Sequence, residues 1–158
     1  MKTNIFTFVL TATVALFALT GQARYRPTLR VTTPTPTEIV ASTLWLESRG
    51  EGKRGIKAVA SVIWTRAQKT EAHPQDVCLR PNQFGCWAEF RPIRTPYGAE
   101  GTDLWDYCVK LAKELQQGTF TPLFKATHYY NPRVCTPYWA KKMKIVTRIG
   151  NHVFGVAK

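Results

Sequence analysis

TPTEIVASTLWLESRGEGKRGIKAVASVIWTR, residues 35–66, is the stretch on which the fold turns. It predicts two helices meeting at a glycine-marked corner. Thr35 suits the N-cap, Pro36 the first helical position, and Glu38 completes a Thr-x-x-Glu capping box. The first helix is expected to end near Arg49, with Gly50 as its left-handed terminator. Val40, Thr43, Leu44 and Glu47 fall at i, i+3, i+4 and i+7 and share a face. A carboxyl on that stripe is costly unless it is paired, hydrogen-bonded or protonated. Glu47 is therefore the first candidate for chemistry. A salt bridge to Arg49, Arg54 or Arg66 is the plain alternative, and spacing alone leans slightly toward it. Glu51, near the start of the second helix, sits where the helix dipole favours a negative charge. From about Lys53, Ile56, Val59, Ala60, Ile63 and Ala67 line one helical face.

Outward from this corner, the N-terminal side is organised for export. Lys2, the apolar segment IFTFVLTATVALFAL and the small residues Gly21-Gln22-Ala23 form a secretory signal pattern, residues 1–23, with cleavage after Ala23. The apolar run is about 15 residues, shorter than the roughly 20 of a spanning helix; an uncleaved anchor is the alternative. Residues 24–34, rich in proline, threonine and arginine, read as an extended leader. Residues 35–158 then form one domain, large enough for a real core. An exported, periplasmic, cell-envelope or extracellular protein is implied.

Export also governs Cys78, Cys86, Cys108 and Cys135. Their spacings of 8, 22 and 27 residues match no compact zinc pattern, so two disulfides are expected, with the pairing open. The formal charge of +12 becomes +11 without the signal segment, since only Lys2 leaves with it. Such a surface favours polyanions. Nucleic acid, anionic lipid headgroups and an acidic cell-wall polymer all qualify; export argues against an intracellular nucleic-acid role, and charge alone says nothing more specific.

Beyond the corner, residues 73–101 carry prolines at 74, 81, 92 and 96 and no period, which predicts a long functional or tethered loop. Leu104, Cys108, Leu111, Ala112 and Leu115 form the buried stripe of a helix capped by Thr102 or Asp103 and ended by Gly118. ATHYYNP reads as a short strand, Thr136-Pro137 as the cap of a brief helix, and KIVTRI-GN-HVFGV as a two-residue-loop hairpin. The fold class is α+β: mainly helical, with a small antiparallel sheet near the C-terminus.

His128, Tyr129, Tyr130 and Asn131, with Trp87, Tyr138 and Trp139, supply the flat faces and hydrogen-bonding groups of a sugar cleft. Trp45, Trp64 and Trp105 read as core. The three histidines, His73, His128 and His152, are too scattered for a zinc triad, so neither metal nor cofactor is expected. There is no nucleophile elbow and no phosphate loop.

LWLESRGEGKRGIKAVASVIWTR resembles the Glu-Ala-Arg-Gly-Glu signature of the spore-cortex-lytic, SleB-like cell-wall hydrolases. QFGCW resembles that family's Gln-Phe-x-x-Trp segment, and ATHYYNP, PYWA and IGNHVF match its C-terminal third in order. The resemblance runs from about Ile39 to Phe154. It implies a lysozyme-like catalytic domain that cuts peptidoglycan glycan strands, with its single catalytic glutamate on Glu47. Gln83 and Phe84 join Trp87, His128, Tyr129, Tyr130, Asn131 and Trp139 as expected substrate-binding residues; Arg49, Glu51 and His152 are expected to support them. Two departures stand out: Leu46 replaces a glycine, which is expected to narrow the approach to Glu47, and Ser48 replaces an alanine.

The resulting expectation is a monomeric lytic transglycosylase acting on the MurNAc–GlcNAc β-1,4 bond. A water-using glycosidase ordinarily needs a second carboxylate, and none of Glu51, Glu89, Glu100 or Asp103 has an evident claim. The alternatives are an N-acetylmuramoyl-L-alanine amidase, which usually needs a metal, and a non-catalytic wall-binding module. A binding module has no use for a carboxyl on an apolar helix face. The membrane would be met only through the signal or anchor segment.

Overall fold

The first helix opens as its capping box requires. The Thr35 side chain accepts the Glu38 N–H at 3.2 Å, and Glu38 Oε2 accepts the Thr35 N–H at 2.7 Å. In this computed structural model, which describes residues 33–87, 95–96 and 98–157, helix α1 spans Pro36–Ser48 and α2 spans Gly52–Thr70. The signal segment, the leader up to residue 32 and the loop residues 88–94 lie outside the described residues. Among the described residues no helix is long and apolar enough to cross a membrane.

The corner differs from expectation by one turn. Arg49–Glu51 add a 3₁₀ turn after α1, and the left-handed glycine is Gly52, with φ +65° and ψ −174°, rather than Gly50. Glycine is required there because that region of backbone space excludes a Cβ. The extra turn carries Glu51 away from the end of α1.

Nor is α1 a one-faced helix. Ile39 through Trp45 are all buried, and α1 packs against α2, against α3 (Pro74–Leu79) and against α4 (Asp103–Gln117). It is the central helix, which explains why its apolar residues surround it. Its polar members are satisfied internally: the Thr43 and Ser48 hydroxyls donate to the carbonyls of Ile39 and Leu44 at 2.8 and 2.7 Å. Leu44 is fully buried, and its truncation to alanine would cost about 2–5 kcal/mol.

Helix α2 buries the stripe read from sequence, Ile56, Val59, Ala60, Ile63 and Ala67. Helix α4 is capped by the Thr102 side chain and ended by Gly118 in the left-handed region. Its stripe buries Cys108, Leu111, Ala112 and Leu115, with Trp105 where Leu104 was expected; Leu104 is only partly covered. Trp45 and Trp105 are buried edge to face, 6.3 Å apart, while Trp64 packs partly covered against the core.

The C-terminal part is a three-stranded antiparallel sheet in the order β1-β3-β2. Strand β1 is His128–Tyr130, β2 Met143–Ile149 and β3 His152–Ala157. A 3₁₀ segment, Tyr138–Lys142, leads into β2. Gly150 at φ +56° takes the first position of the hairpin loop, and Ile149 pairs with His152 as the sequence required. The central strand β3 sets Phe154 opposite Tyr129 and Val153 opposite Tyr130. Phe154 is fully buried and joins the helical core.

The four cysteines, for which two disulfides were expected, stand as free thiols in this structure: Cys78, Cys86, Cys108 and Cys135. Cys78 and Cys108 are buried side chains of α3 and α4, Cys86 is half-buried beside Glu47, and Cys135 is exposed in the turn after β1. Burial pushes the thiols of Cys78 and Cys108 up to about 12.

Candidate active site

Glu47 lies in the last turn of α1, where the helix reaches the protein surface. Its carboxylate is held at both oxygens. Oε1 accepts the backbone N–H of Cys86 at 3.1 Å, and Oε2 accepts the Tyr129 hydroxyl at 2.7 Å. The cost of a carboxyl on an otherwise apolar helix is thus offset by hydrogen bonds from a loop and from a strand.

Further contacts hold the loop against α1 and α2. Trp87 Nε1–H donates to Thr43 Oγ1 at 3.0 Å, one helical turn before Glu47. Phe84 is buried, and the Arg66 guanidinium lies 5.1 Å over its ring. Arg66 also donates from Nη1 to the Gln83 carbonyl at 3.2 Å, and from Nε to the Thr127 carbonyl at 2.7 Å. One guanidinium on α2 therefore fastens both the loop and the approach to β1, as a rigid fork of donors can. Burial lowers its pKa, against the raising influence of Tyr129, Cys78 and Glu47.

Tyr129 is fixed by the sheet. Its ring stacks on Phe154 at 5.6 Å and meets the edge of His152 at 5.4 Å. Burial, then the neighbouring Glu47, raises its pKa well above 10. The phenol therefore stays protonated and able to donate. Burial and Glu47 likewise raise the Cys86 thiol, so it too is neutral.

These groups open onto a cleft of about 470 Å³, lined by Glu47, Arg66, Asn82, Gln83, Gly85 and His128, with Tyr129, Tyr138 and Trp139 completing the wall. His128 packs against Trp139 at 5.0 Å and shares a hydrogen bond with Thr127 Oγ1 at 2.9 Å. Burial, then Arg66 and Lys69, lowers its pKa, leaving a neutral imidazole. Tyr138 is 89 % exposed. The wall combines aromatic faces with amide, imidazole and guanidinium groups.

Of the residues singled out in the sequence, Glu47, Gln83, His128, Tyr129, Tyr138 and Trp139 line this cleft. Phe84 and Trp87 stand behind it, supporting the loop. Tyr130 meets Trp139 edge-on at 5.8 Å, and Asn131 closes a turn by accepting the Arg133 N–H at 3.0 Å. Arg49 lies over the Trp45 ring. Leu46 packs against the core instead of narrowing the cleft, and the Ser48 hydroxyl is spent on its own helix.

Arg66, Asn82 and Gly85 were missed as site residues. Arg66 had a signal: it follows Val59 and Ile63 at helical spacing, a cation on an apolar stripe. Asn82 and Gly85 had none.

Residues 50–155 match the cell wall hydrolase family, and the chain belongs to that family. Glu47 lies just ahead of the matched range. The chain is similar to the catalytic domain of the germination-specific lytic transglycosylase SleB from Bacillus anthracis. Identity is 25%, covering 80% of this chain and 98% of that one, with a TM-score of 0.62. The catalytic domain of the Bacillus cereus SleB protein is similar at 26% identity, covering 78% and 93%, with a TM-score of 0.58. No curated protein sequence gives a significant match.

Proposed function

We propose that this protein is an exported peptidoglycan glycosidase that cleaves the MurNAc–GlcNAc β-1,4 bond as a lytic transglycosylase, with Glu47 as its single general acid. The observation that carries the reading is Glu47 itself: among the described residues lining the cleft it is the one carboxyl. Glu51, the next acid along the chain, is engaged with Asn151 instead.

In this mechanism the Glu47 carboxylic acid gives its proton to the glycosidic oxygen as the bond to C1 breaks. The muramic acid's own 6-hydroxyl adds to the oxocarbenium-like C1, closing a 1,6-anhydro ring, and its proton returns to the Glu47 carboxylate. No water and no second carboxylate are consumed. The Tyr129 hydroxyl suits both states of the acid, since a phenol can accept from a carboxylic O–H and donate to a carboxylate. The Cys86 N–H holds the other oxygen throughout. Tyr138, Trp139 and His128 offer faces on which pyranose rings can lie.

Glu47→Gln keeps the size of the side chain and removes the proton. It should abolish release of soluble fragments from purified sacculi while leaving the melting temperature and wall binding near those of the parent. Mass spectrometry of the digest separates the alternatives. Anhydro-muramic ends support the transglycosylase, reducing ends indicate hydrolysis, and freed peptide stems indicate an amidase. Binding with no fragments at all would reduce the protein to a wall-binding module.

A further inference from the structure

Glu51 is four residues beyond Glu47 and does not line the cleft. Its carboxylate is nevertheless engaged at both oxygens. Its side chain is only 10 % exposed. Oε2 accepts the Asn151 backbone N–H and Oε1 accepts the Asn151 side-chain amide, both at 2.9 Å, and His152 Nδ1 lies 3.7 Å from Oε1. The slot around it is tightly fitted: a Cβ placed on Gly55 or on Gly150 would collide with the Glu51 side chain. A charge of this kind on a helix corner usually caps the helix. Glu51 makes no side-chain cap bond to α2, so capping is not what holds it.

What Glu51 grips is the hairpin loop and the first residue of β3. That strand sets Tyr129: His152 meets its ring edge-on, Phe154 stacks on it, and Phe154 is its partner across the ladder. Tyr129 in turn donates to Glu47. The path starts at the helical corner and returns to it.

We infer that Glu51 is a positioning residue, which clamps the β2–β3 loop through Asn151 and His152 and so seats the Tyr129 hydroxyl on Glu47. This rests on the reading of Glu47 as the reacting acid. The clamp confers register rather than reactivity. A loop free to shift by 1 Å would move the phenol off the carboxylate, and a misplacement of that size costs up to about a hundredfold in rate.

The test is a double-mutant cycle of Glu51→Ala and Tyr129→Phe, followed by kcat and KM on solubilised glycan strands and by ultraviolet titration of the Tyr129 phenol. Glu51→Ala should lower kcat by roughly ten- to a hundredfold with KM little changed. It should cost almost nothing further in the Tyr129→Phe background, since coupled residues are not additive. The Tyr129 titration should fall toward the ordinary tyrosine range, and Glu51→Gln, which keeps an acceptor for the Asn151 N–H, should restore most of both. Additive losses, or an unmoved Tyr129 titration, would overturn the clamp. If the parent protein releases no glycan fragments, the glycosidase reading falls, while the titration still decides whether Glu51 sets Tyr129.

Discussion

The Tyr129 hydroxyl donates to Glu47 Oε2 at 2.7 Å although 82 residues of chain separate them. This single bond joins the helical part of the molecule to its sheet at the point where the chemistry is proposed. Tyr129→Phe removes the hydroxyl and leaves the ring stacked on Phe154. The expected result is a fall in kcat of roughly tenfold or more, with binding to sacculi preserved, because general acid catalysis is worth about 10²–10⁴ and one of its two supports is lost. Fragment release at the parent rate would remove Tyr129 from the mechanism.

The pH dependence of stability follows from Glu51. Burial works to raise its pKa, but the Asn151 backbone N–H, the Asn151 amide, His152 and Arg133 together bring it below the ordinary 4.5. A carboxylate depressed in the folded state stabilises above its unfolded value. That contribution is complete above about pH 4.5 and is lost as the pH falls through the lowered folded value. Melting temperatures of the parent and of Glu51→Gln should therefore differ most at neutral pH and converge in acid. A gap that stays constant across the range would contradict this.

Most of the architecture could be read from local rules. The capping box at Thr35 and Glu38, the stripe of α4 and the Gly150-Asn151 hairpin each depend on residues within a turn of one another. What escaped was set by long-range contacts. The sequence cannot show that α1 is buried beyond the one stripe of Val40, Thr43, Leu44 and Glu47, because the Ser48 hydroxyl looks like a surface group until its bond to the Leu44 carbonyl is seen. Glu47 was legible as a carboxyl out of place, but its two donors come from residues 39 and 82 positions away. Arg66 was read only as a possible salt-bridge partner; its work is to hold carbonyls from two distant segments. Phe84 and Trp87 were placed in the right loop, but the contacts that fix them, with Arg66 and with Thr43, come from two different helices.

The cysteines give an independent check on the structure. The thiolate is the reactive form, and burial pushes Cys78 and Cys108 up to about 12. Cys86 is raised too, by burial and by Glu47. Cys135 alone is exposed. Iodoacetamide at pH about 8 should label Cys135 first, with the other three reacting only on unfolding. Peptide mass spectrometry reads the order directly. A pair that resists alkylation in denaturant without reductant would reveal a disulfide, which is what an exported chain with four cysteines suggested.

The corner itself yields the sharpest contrast in stability, because two glycines two residues apart have different reasons to be there. Gly52 holds φ +65° and ψ −174°, whereas Gly50 has no positive φ, and a Cβ added to it would meet nothing within 4 Å. Gly52→Ala should therefore cost about 1–3 kcal/mol in backbone strain. Gly50→Ala should be neutral or slightly stabilising, since it restricts the unfolded chain without straining the folded one. Urea unfolding of both variants measures the difference. The strain would fall on the residue that follows Glu51 and opens α2, so Gly52→Ala should also lose glycan-cleaving activity, and Gly50→Ala should keep it. Equal stabilities would mean that the left-handed turn is not where the chain reverses, and the placing of Glu51 against the hairpin would have to be abandoned with it.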